Sequence, residues 1–282
     1  MALPLKPLAA FALLREFKAI SQESPTLAVA GAGELARALR REIARGGDAT
    51  AVVPGWKGAA ALVWVQAGPL SEADRSELRA ANAGKVPIVA VVVGSSAETP
   101  GAPGAATTAA QRLPYVLATA HVPVGPGVAF PVGEIARALG RRVGERSSGL
   151  AARLPELREG ICDSLVQNTA KRNAMIGSAI PVPGADLPLL ALTQIRLALR
   201  IAHAHGEPVD TKRLPELLGV VVGGVGLRSI ARQLAGSLGP GWLVKGAIAY
   251  GGTRAIGEAA IRYFEHRAPA VAAPAPAPPS AE

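Results

Sequence analysis

Short apolar runs alternate with amphipathic helical segments up to about residue 149, and helical patterns alone follow. Apolar runs of about four to eight residues between turn residues are typical of buried strands, and their alternation with helices is typical of a parallel sheet. The predicted strands are Thr26–Ala30, Ala49–Val53, Ala60–Val65, Val86–Val93 and Tyr115–Ala118. The predicted helices among them are Glu34–Arg45, Ser71–Ala83 and Pro131–Val143. Residues 25–149 are therefore predicted to form an α/β domain.

The second half of the chain has no strand pattern. Its predicted helices are Glu156–Met175, Asp186–His205, Leu214–Leu238 and Thr253–His266. Adjacent glycines usually interrupt a helix, so Gly251 and Gly252 predict a break before the last helix. Residues 150–267 are predicted to form an all-helical domain.

A turn is predicted before the helix Asp186–His205. Pro181 and Pro183 end any preceding helix, and Gly184 suits a tight turn. Asp186 can accept a hydrogen bond from the free backbone N–H groups at the start of the new helix. These four residues are candidate structural, partner-contacting or membrane-contacting positions.

Within the helix Asp186–His205, apolar residues cover all but one narrow polar stripe. That stripe consists of Thr193, Arg196, Arg200 and His203. Such a helix is either enclosed by neighbouring helices or in contact with lipid. In the next predicted helix, Gly219 and Gly223 form a G-x-x-x-G step that allows close helix crossing. Arg196 and Arg200 could extend towards lipid headgroups.

No apolar segment reaches the roughly 20 residues needed to cross a bilayer. Peripheral binding or shallow insertion at the cytoplasmic face of a membrane is therefore favoured. A wholly soluble helical bundle in the cytoplasm and a membrane-spanning hairpin are the alternatives.

The two ends of the chain differ from the domains. The apolar run Leu8–Leu14 is short and is followed at once by Arg15 and Glu16, which is unlike a secretory signal. Residues 1–24 are predicted to form an amphipathic helix, and the chain is predicted to stay in the cytoplasm. Residues 268–282 are rich in Ala and Pro and are predicted to be a disordered tail.

The chain has a formal net charge of +9, which would suit a polyanionic partner. Its arginines are spread singly through Ala-rich segments without a basic run or interleaved aromatic residues, so nucleic acid is not a predicted partner. Dispersed positive charge suits anionic lipid headgroups. No nucleophile–base pair is predicted, Cys162 is expected to be a packed side chain, and no metal or cofactor is expected.

A glycine-containing loop follows the first predicted strand. Gly31, Gly33 and Ala36 match the dinucleotide fingerprint G-x-G-x-x-G/A, but Val53 stands where the ribose-binding acid is expected. The P-loop template fits no better, because Arg37 and Ala38 replace the phosphate-binding Lys and the hydroxyl that holds Mg²⁺. The three fingerprint residues are degenerate candidates for cofactor binding, and a tight strand–helix turn explains them without a ligand.

Several segments nevertheless follow one another as in Era-like GTPases. Val53–Gly55 resembles the Asp-Thr-Pro-Gly position, Leu62–Val65 the next strand, and Lys85–Val92 the strand before the guanine-binding motif. Val93–Ser96 replaces that guanine-binding motif, and Ala118–Ala120 resembles its Ser-Ala loop. The resemblance covers about the first 145 residues and implies a P-loop, Ras-like parallel sheet that has lost its nucleotide contacts.

The second half contains, in this order, the segments Asn168–Lys171, Pro181–Asp186, Thr193-Gln194, Leu217–Gly219, Gly251–Gly257 and Tyr263-Phe264. On these segments it resembles the YcjF-like helical domain, which commonly follows an Era-like GTPase domain. Gln194, Gly252 and Thr253 are candidate structural or partner-contacting residues on this basis. The resemblance implies membrane association and a regulatory role, and it transfers no catalytic residue.

These patterns together favour a non-enzymatic, membrane-associated regulatory or scaffold protein, in which a degenerate GTPase-like domain precedes a helical binding module. Its expected partners are membrane lipids, another protein such as a GTPase, or both. The alternative is a nucleotide-binding enzyme or sensor that uses the loop from Gly31 to Ala36 for GTP or NAD.

Overall fold

A computed structural model describes residues 23–94, 113–179, 187–207 and 241–267, together with Arg15. Several predictions lie outside these residues: most of the N-terminal helix, the helix Leu214–Leu238 with Gly219 and Gly223, and the tail 268–282. The turn residues Pro181, Pro183, Gly184 and Asp186 also lie outside them.

The described part of the first half contains a parallel sheet, as predicted. Its strands are β1 (Leu27–Gly31), β2 (Val52–Val53), β3 (Ala61–Ala67), β4 (Ile88–Val93) and β5 (His121–Val124). They lie in the order β2-β1-β3-β4-β5, and every neighbouring pair is parallel. This order is that of flavodoxin-like doubly wound sheets.

Both edges of the sheet differ from the prediction. The strand predicted at Ala49–Val53 is reduced to β2, because Asp48 accepts a hydrogen bond from the Thr50 amide at 2.9 Å and caps a 3₁₀ turn over Ala49–Ala51. The strand predicted at Tyr115–Ala118 is wrong, since Tyr115 has a φ of 67° and β5 begins only at His121. Pro123 is tolerated in β5 because an edge strand can lack one amide donor.

Helices cover both faces of the sheet. The first-half helices are α1 (Gly33–Ile43), α2 (Glu72–Ala83) and α3 (Val132–Val143). Apolar side chains of α1 and α3 share a buried cluster with Val63, whereas Leu78 of α2 packs with Trp64 on the opposite face. The start of α2 is capped by Ser71 and Asp74, which form a reciprocal capping box.

The described part of the second half is helical, as predicted. Its helices are α4 (Ser147–Arg153), α5 (Arg158–Ala179), α6 (Leu187–Ala204) and α7 (Gly241–Arg267). The break predicted at Gly251-Gly252 is wrong, because α7 continues through both glycines. Packing of α7 along α5 outweighs the weak helix propensity of two residues.

One hydrophobic core joins the sheet to the helices. The same buried cluster contains Leu27 and Val91 of the sheet, Leu150 of α4 and Phe264 of α7. Helix α3 packs on α5, and α4 packs on α6. The helical half is therefore built onto the α1–α3 face of the sheet.

Helix α6 is enclosed by its neighbours over most of its length. It packs against α4, α5 and α7, and among its apolar residues Leu189 is exposed near the start of the helix. Its polar stripe points inward, with Thr193, Arg200 and His203 buried. None of the helices in the described ranges combines the length and hydropathy that crossing a bilayer requires.

Candidate functional site

The loop after β1 uses two of its three predicted residues for packing. Gly31 has a φ of 106°, and a side chain there would overlap the carbonyl oxygen of Val65. The neighbouring Ala32 amide donates to that same oxygen at 2.8 Å. Ala36 is buried in the core, whereas a Cβ on Gly33 would meet no atom within 4 Å. The loop is thus tied to β3, with open space above Gly33 alone.

The start of α1 has little chemistry for a nucleotide. Ala32 at its N-cap supplies no side-chain hydrogen bond, and Arg37 forms a surface ion pair with Glu34. The Glu34 carboxylate therefore lies in the first turn, where a phosphate would otherwise be favoured by the helix dipole. The side chains of this loop supply no hydroxyl to a phosphate or Mg²⁺, and their guanidinium group is ion-paired with Glu34.

Gln194 and Thr253, two predicted positions far apart in sequence, meet in the core of the helical half. The Nε2 of Gln194 donates to Oγ1 of Thr253 at 3.2 Å, and Nδ2 of Asn173 donates to the same oxygen at 2.9 Å. The Thr253 hydroxyl itself donates to the Ala249 carbonyl at 2.7 Å. Thr193 donates to Oδ1 of Asn173 at 2.8 Å.

These four side chains connect α5, α6 and α7 through neutral hydrogen bonds. All are buried, and Oε1 of Gln194 has no hydrogen-bond partner within the described residues. Such a network specifies how helices pack and offers no acid, base or nucleophile. Gln194 and Thr253 were identified from the sequence, and Gly252 lies next to Thr253. Asn173 was missed. The sequence feature that could have identified it is a polar amide in a helix that packs against its neighbours.

A cavity of about 310 Å³ opens between α5, α6 and the turn before α4. We call it the arginine pocket. Its lining residues are Gly144, Glu145, Leu165, Asn168, Thr169, Arg172, Thr193, Arg196 and Arg200. The α5 and α6 members recur at spacings of three and four residues, which places each set on one helix face.

Several charged side chains line the arginine pocket. The Arg200 side chain is only 6% exposed and pairs with Glu145, and Nη1 of Arg172 lies 3.9 Å from the same carboxylate. Arg196 is the third arginine of the lining. Arginine stays protonated even when it is buried, so this positive charge is permanent.

The burial of Arg200 corrects the expectation that this side chain extends towards lipid headgroups. Its guanidinium turns inward because Glu145 supplies a carboxylate next to the start of α4. Sequence reasoning had noted Arg196 and Arg200 on one stripe but missed Arg172 and Glu145. The sequence feature that could have identified Arg172 is its position four residues after Asn168, which places both side chains on one face of a helix.

A second cavity, of about 260 Å³, contains Cys162 and His205. Burial raises the pKa of the Cys162 thiol to about 12, and burial also lowers the pKa of His205 below its usual 6.5. The imidazole Nδ1 lies 2.8 Å from the Ile201 carbonyl oxygen. Both groups are therefore neutral near pH 7, and a neutral buried thiol is a poor nucleophile.

His203 of α6 and His205 just after it belong to no metal site in the described ranges, where no group of three potential ligands is found. His203 instead contacts Oγ of Ser148 through Nδ1 at 3.2 Å, away from the cavity that His205 lines. The two histidines, two positions apart, therefore point in different directions.

Comparison of the chain with protein-family models, with curated proteins and with solved structures finds no match. The chemistry of the loop, the hydrogen-bonded core and the two cavities is therefore what bears on function. Among these features the arginine pocket has the strongest concentration of charge.

Proposed function

We propose that the chain is a non-enzymatic, membrane-associated regulatory or scaffold protein. The observation that carries this proposal is the loop after β1, where a nucleotide would bind in a related fold. Its Gly31 lies against Val65, and its first amide is used by the sheet. The loop also has no side-chain hydroxyl to hold Mg²⁺ and no lysine ammonium group to bind a phosphate. What the chain offers instead is a net positive charge that is spread over separate helices.

Membrane association is supported by charge and by the way this charge is distributed. The chain has a net charge of +9, and many of its arginines lie on the surface of separate helices. A cationic side chain near an anionic membrane contributes about 1 kcal/mol to binding. Several of them together suit a peripheral attachment to the cytoplasmic face, with lipid headgroups or a membrane-bound protein such as a GTPase as the partner.

The first half is proposed to be a degenerate GTPase-like domain on the resemblance of its segments. The parallel sheet is consistent with that kinship, and so is its strand order. A Ras-like sheet has its first strand between the third and fourth strands. The resemblance at Val53–Gly55 aligns β2 with the third of these strands, and β1 lies between β2 and β3. The scaffold role does not depend on this ancestry, because it rests on the chemistry that the loop lacks.

Sedimentation with vesicles tests the proposal. The full chain is mixed with phosphatidylcholine vesicles that contain or lack phosphatidylglycerol, at low and high salt. We expect sedimentation with the anionic vesicles and its loss at high salt, since screening weakens surface charge interactions. Full recovery in the supernatant with both vesicle types would contradict membrane association. Turnover of GTP by the purified chain would contradict a non-enzymatic role.

A second candidate function is a nucleotide sensor at the same loop. It is favoured by the strand order, because doubly wound sheets bind ligands at the carboxyl ends of β1 and β3, where Gly33 faces open space. Calorimetry with GTP, ATP and NAD(H) tests this role. Saturable micromolar binding that is lost in Gly33→Leu would establish it, and an absence of heat would rule it out.

A further inference from the structure

We propose that the cavity beside Cys162 and His205 binds a small apolar α-amino acid. We call it the histidine cavity. It has a volume of about 260 Å³ and lies between the start of α5, the end of α6 and the last turns of α7. This inference goes beyond the proposed function, because it depends neither on membranes nor on the loop after β1. The other residues that line the cavity are Pro155, Arg158, Glu159, Ile261 and Glu265.

Arg158 can bind the carboxylate of such a ligand. Its Nε donates to the Ala204 carbonyl at 2.9 Å, which holds the guanidinium group against the end of α6. Within the described ranges, its two terminal amino groups have no hydrogen-bond partner. Two parallel N–H donors match the two oxygens of a carboxylate, so Arg158 is ready to bind one.

His205 supplies a buried acceptor to the same cavity. The side chain is 9% exposed, and its Nδ1 lies 2.8 Å from the Ile201 carbonyl oxygen. Because a carbonyl oxygen only accepts, Nδ1 carries the proton of the neutral ring and Nε2 keeps its lone pair. No described residue donates a hydrogen bond to Nε2. An N–H group of a ligand would satisfy this buried acceptor.

Two charges of opposite sign act on both buried groups of the cavity. Burial is the main cause of the raised pKa of Cys162, while Arg158 lowers that pKa and Glu265 raises it. Burial also dominates the lowered pKa of His205, on which the same two charges act in the same directions. A guanidinium group and a carboxylate therefore both lie near the thiol and the imidazole.

A ligand that carries both signs of charge fits this arrangement. A lone carboxylate would bind Arg158 but would be repelled by Glu159 and Glu265, which line the same cavity. A lone amine would leave the guanidinium group without an anion. An α-amino acid places a carboxylate and an ammonium group one carbon apart. Its carboxylate can accept from Arg158, and its ammonium group can donate to Nε2 of His205 and to Glu265.

The size and the remaining lining residues favour a small apolar side chain on the ligand. The volume of about 260 Å³ is below the roughly 300–1,000 Å³ that is typical of sites for drug-sized ligands. Pro155 and Ile261 offer apolar surface in the same cavity. Alanine, valine and leucine are therefore the expected ligands.

Titration calorimetry on the full chain is the first test. Each of the three amino acids is compared with the acid that lacks its amino group and with the amine that lacks its carboxyl group. We expect saturable binding of at least one amino acid, and binding of its two analogues that is weaker by about tenfold or more, since each analogue loses one charged contact. This comparison needs no variant and so does not depend on how a substitution affects folding.

Variants assign the binding to the cavity. Glu265→Gln keeps the shape of the side chain but removes the charge that would receive the ammonium group, and we expect about tenfold weaker binding. The matched control is Glu258→Gln on the same helix. The Glu258 carboxylate pairs with Arg254 and Arg262 and does not line the cavity, so this variant should bind as the unmodified chain does. Circular dichroism checks that both variants are folded.

The ring of His205 reports the position of the ligand. In proton NMR spectra, the amino acid is expected to shift the ring signal of His205, which is identified by its absence from the His205→Gln variant. The ring signal of His121, which lies in β5 and does not line the cavity, should stay in place.

The proposal is overturned if none of the three amino acids gives heat or shifts the His205 signal. It is also overturned if the analogues bind as tightly as the amino acid, or if Glu265→Gln binds as Glu258→Gln does. These results leave membrane association intact, since vesicle sedimentation measures it separately. Conversely, binding of an amino acid without sedimentation would contradict membrane association alone and would support the cavity.

Discussion

At the scale of single residues, Asp48 links the turn before β2 to α4. Its Oδ1 accepts from the Thr50 hydroxyl at 2.6 Å, and its Oδ2 accepts from Nη2 of Arg153 at 2.6 Å. Arg153 also donates to the Pro25 carbonyl at 2.9 Å. The Thr50 hydroxyl, followed by Arg153, lowers the pKa of Asp48 from 3.8 to about 2. The folded state therefore favours the ionised carboxylate.

This pKa shift predicts how acid affects stability. Because the pKa of Asp48 is lower in the folded chain, its contribution is complete above pH 3.8 and is lost as the pH falls towards 2. We expect the urea midpoint of the unmodified chain to fall more steeply below pH 4 than that of Asp48→Asn. Thr50→Val should reduce the difference, and Thr50→Ser, which keeps the hydroxyl, should restore it. Parallel curves for all four proteins would contradict the prediction.

The buried thiol of Cys162 predicts a chemical property of the native chain. Its pKa of about 12 leaves almost no thiolate at pH 8, and the side chain is 1% exposed. We expect no modification by a thiol reagent in the folded state and complete modification in urea. The rate is followed by absorbance or mass spectrometry. Rapid labelling of the native chain would mean that the cavity around Cys162 opens.

Several candidate residues could be identified from the sequence, but most of the contacts between them could not. Gln194 and Thr253 were candidates, yet the 3.2 Å contact between them depends on how α6 crosses α7. Glu145 was missed because it is 55 positions before Arg200, and only the fold brings the two together. Spacing along one helix is visible in a sequence, whereas a partner on another helix is not.

At the scale of elements, the close crossings of the helices depend on individual glycines. A Cβ on Gly257 of α7 would lie 2.5 Å from a Cγ of Val166, a stiff and buried side chain of α5. A Cβ on Gly251 of the same helix would meet no atom within 4 Å. Gly257 therefore lies at a tight crossing of α7 with α5, whereas Gly251 faces open space.

The two glycines predict opposite effects of the same substitution on stability. Gly257→Ala is expected to lower the free energy of unfolding by about 1–3 kcal/mol, because a packed interface must open to admit the methyl group. Gly251→Ala is expected to raise it by about 0.5–1 kcal/mol, since alanine favours the helix and the site is open. Urea unfolding of both variants measures the difference. Equal stabilities would mean that α7 does not cross α5 as described.

Two elements were misplaced, each for its own physical reason. Gly251-Gly252 predicted a break because isolated helices fray at glycine, but α7 is held by packing along α5. The strand predicted at Tyr115–Ala118 was misplaced because β5 is a short edge strand that contains Pro123 and begins only at His121, after a residue with positive φ at Tyr115. Central strands such as β3 and β4 were predicted well, since they are buried on both faces over most of their length and are apolar except for Gln66.

At the scale of the whole molecule, the change from alternating strands and helices to helices alone does not mark a separation of cores. Leu150 and Leu154 of the α4 region are fully buried in the same cluster as Leu27 and Val91. Local sequence patterns indicated the class of each half. They contained no information on this joint packing, because the apolar face of α3 is compatible with either a solitary sheet or a helical neighbour.

A shared core predicts that both halves unfold together. Trp64 is 2% exposed on the α2 face of the sheet, whereas helical ellipticity reports mainly on α5, α6 and α7. In a chain with Trp56 and Trp242 replaced by Phe, we expect Trp64 fluorescence and ellipticity to give the same urea midpoint. Leu150→Ala, which opens a cavity at the junction, should lower both midpoints together and cost about 2–5 kcal/mol. Separate midpoints, or a shift of the helical signal alone, would mean that the two halves are independent folding units.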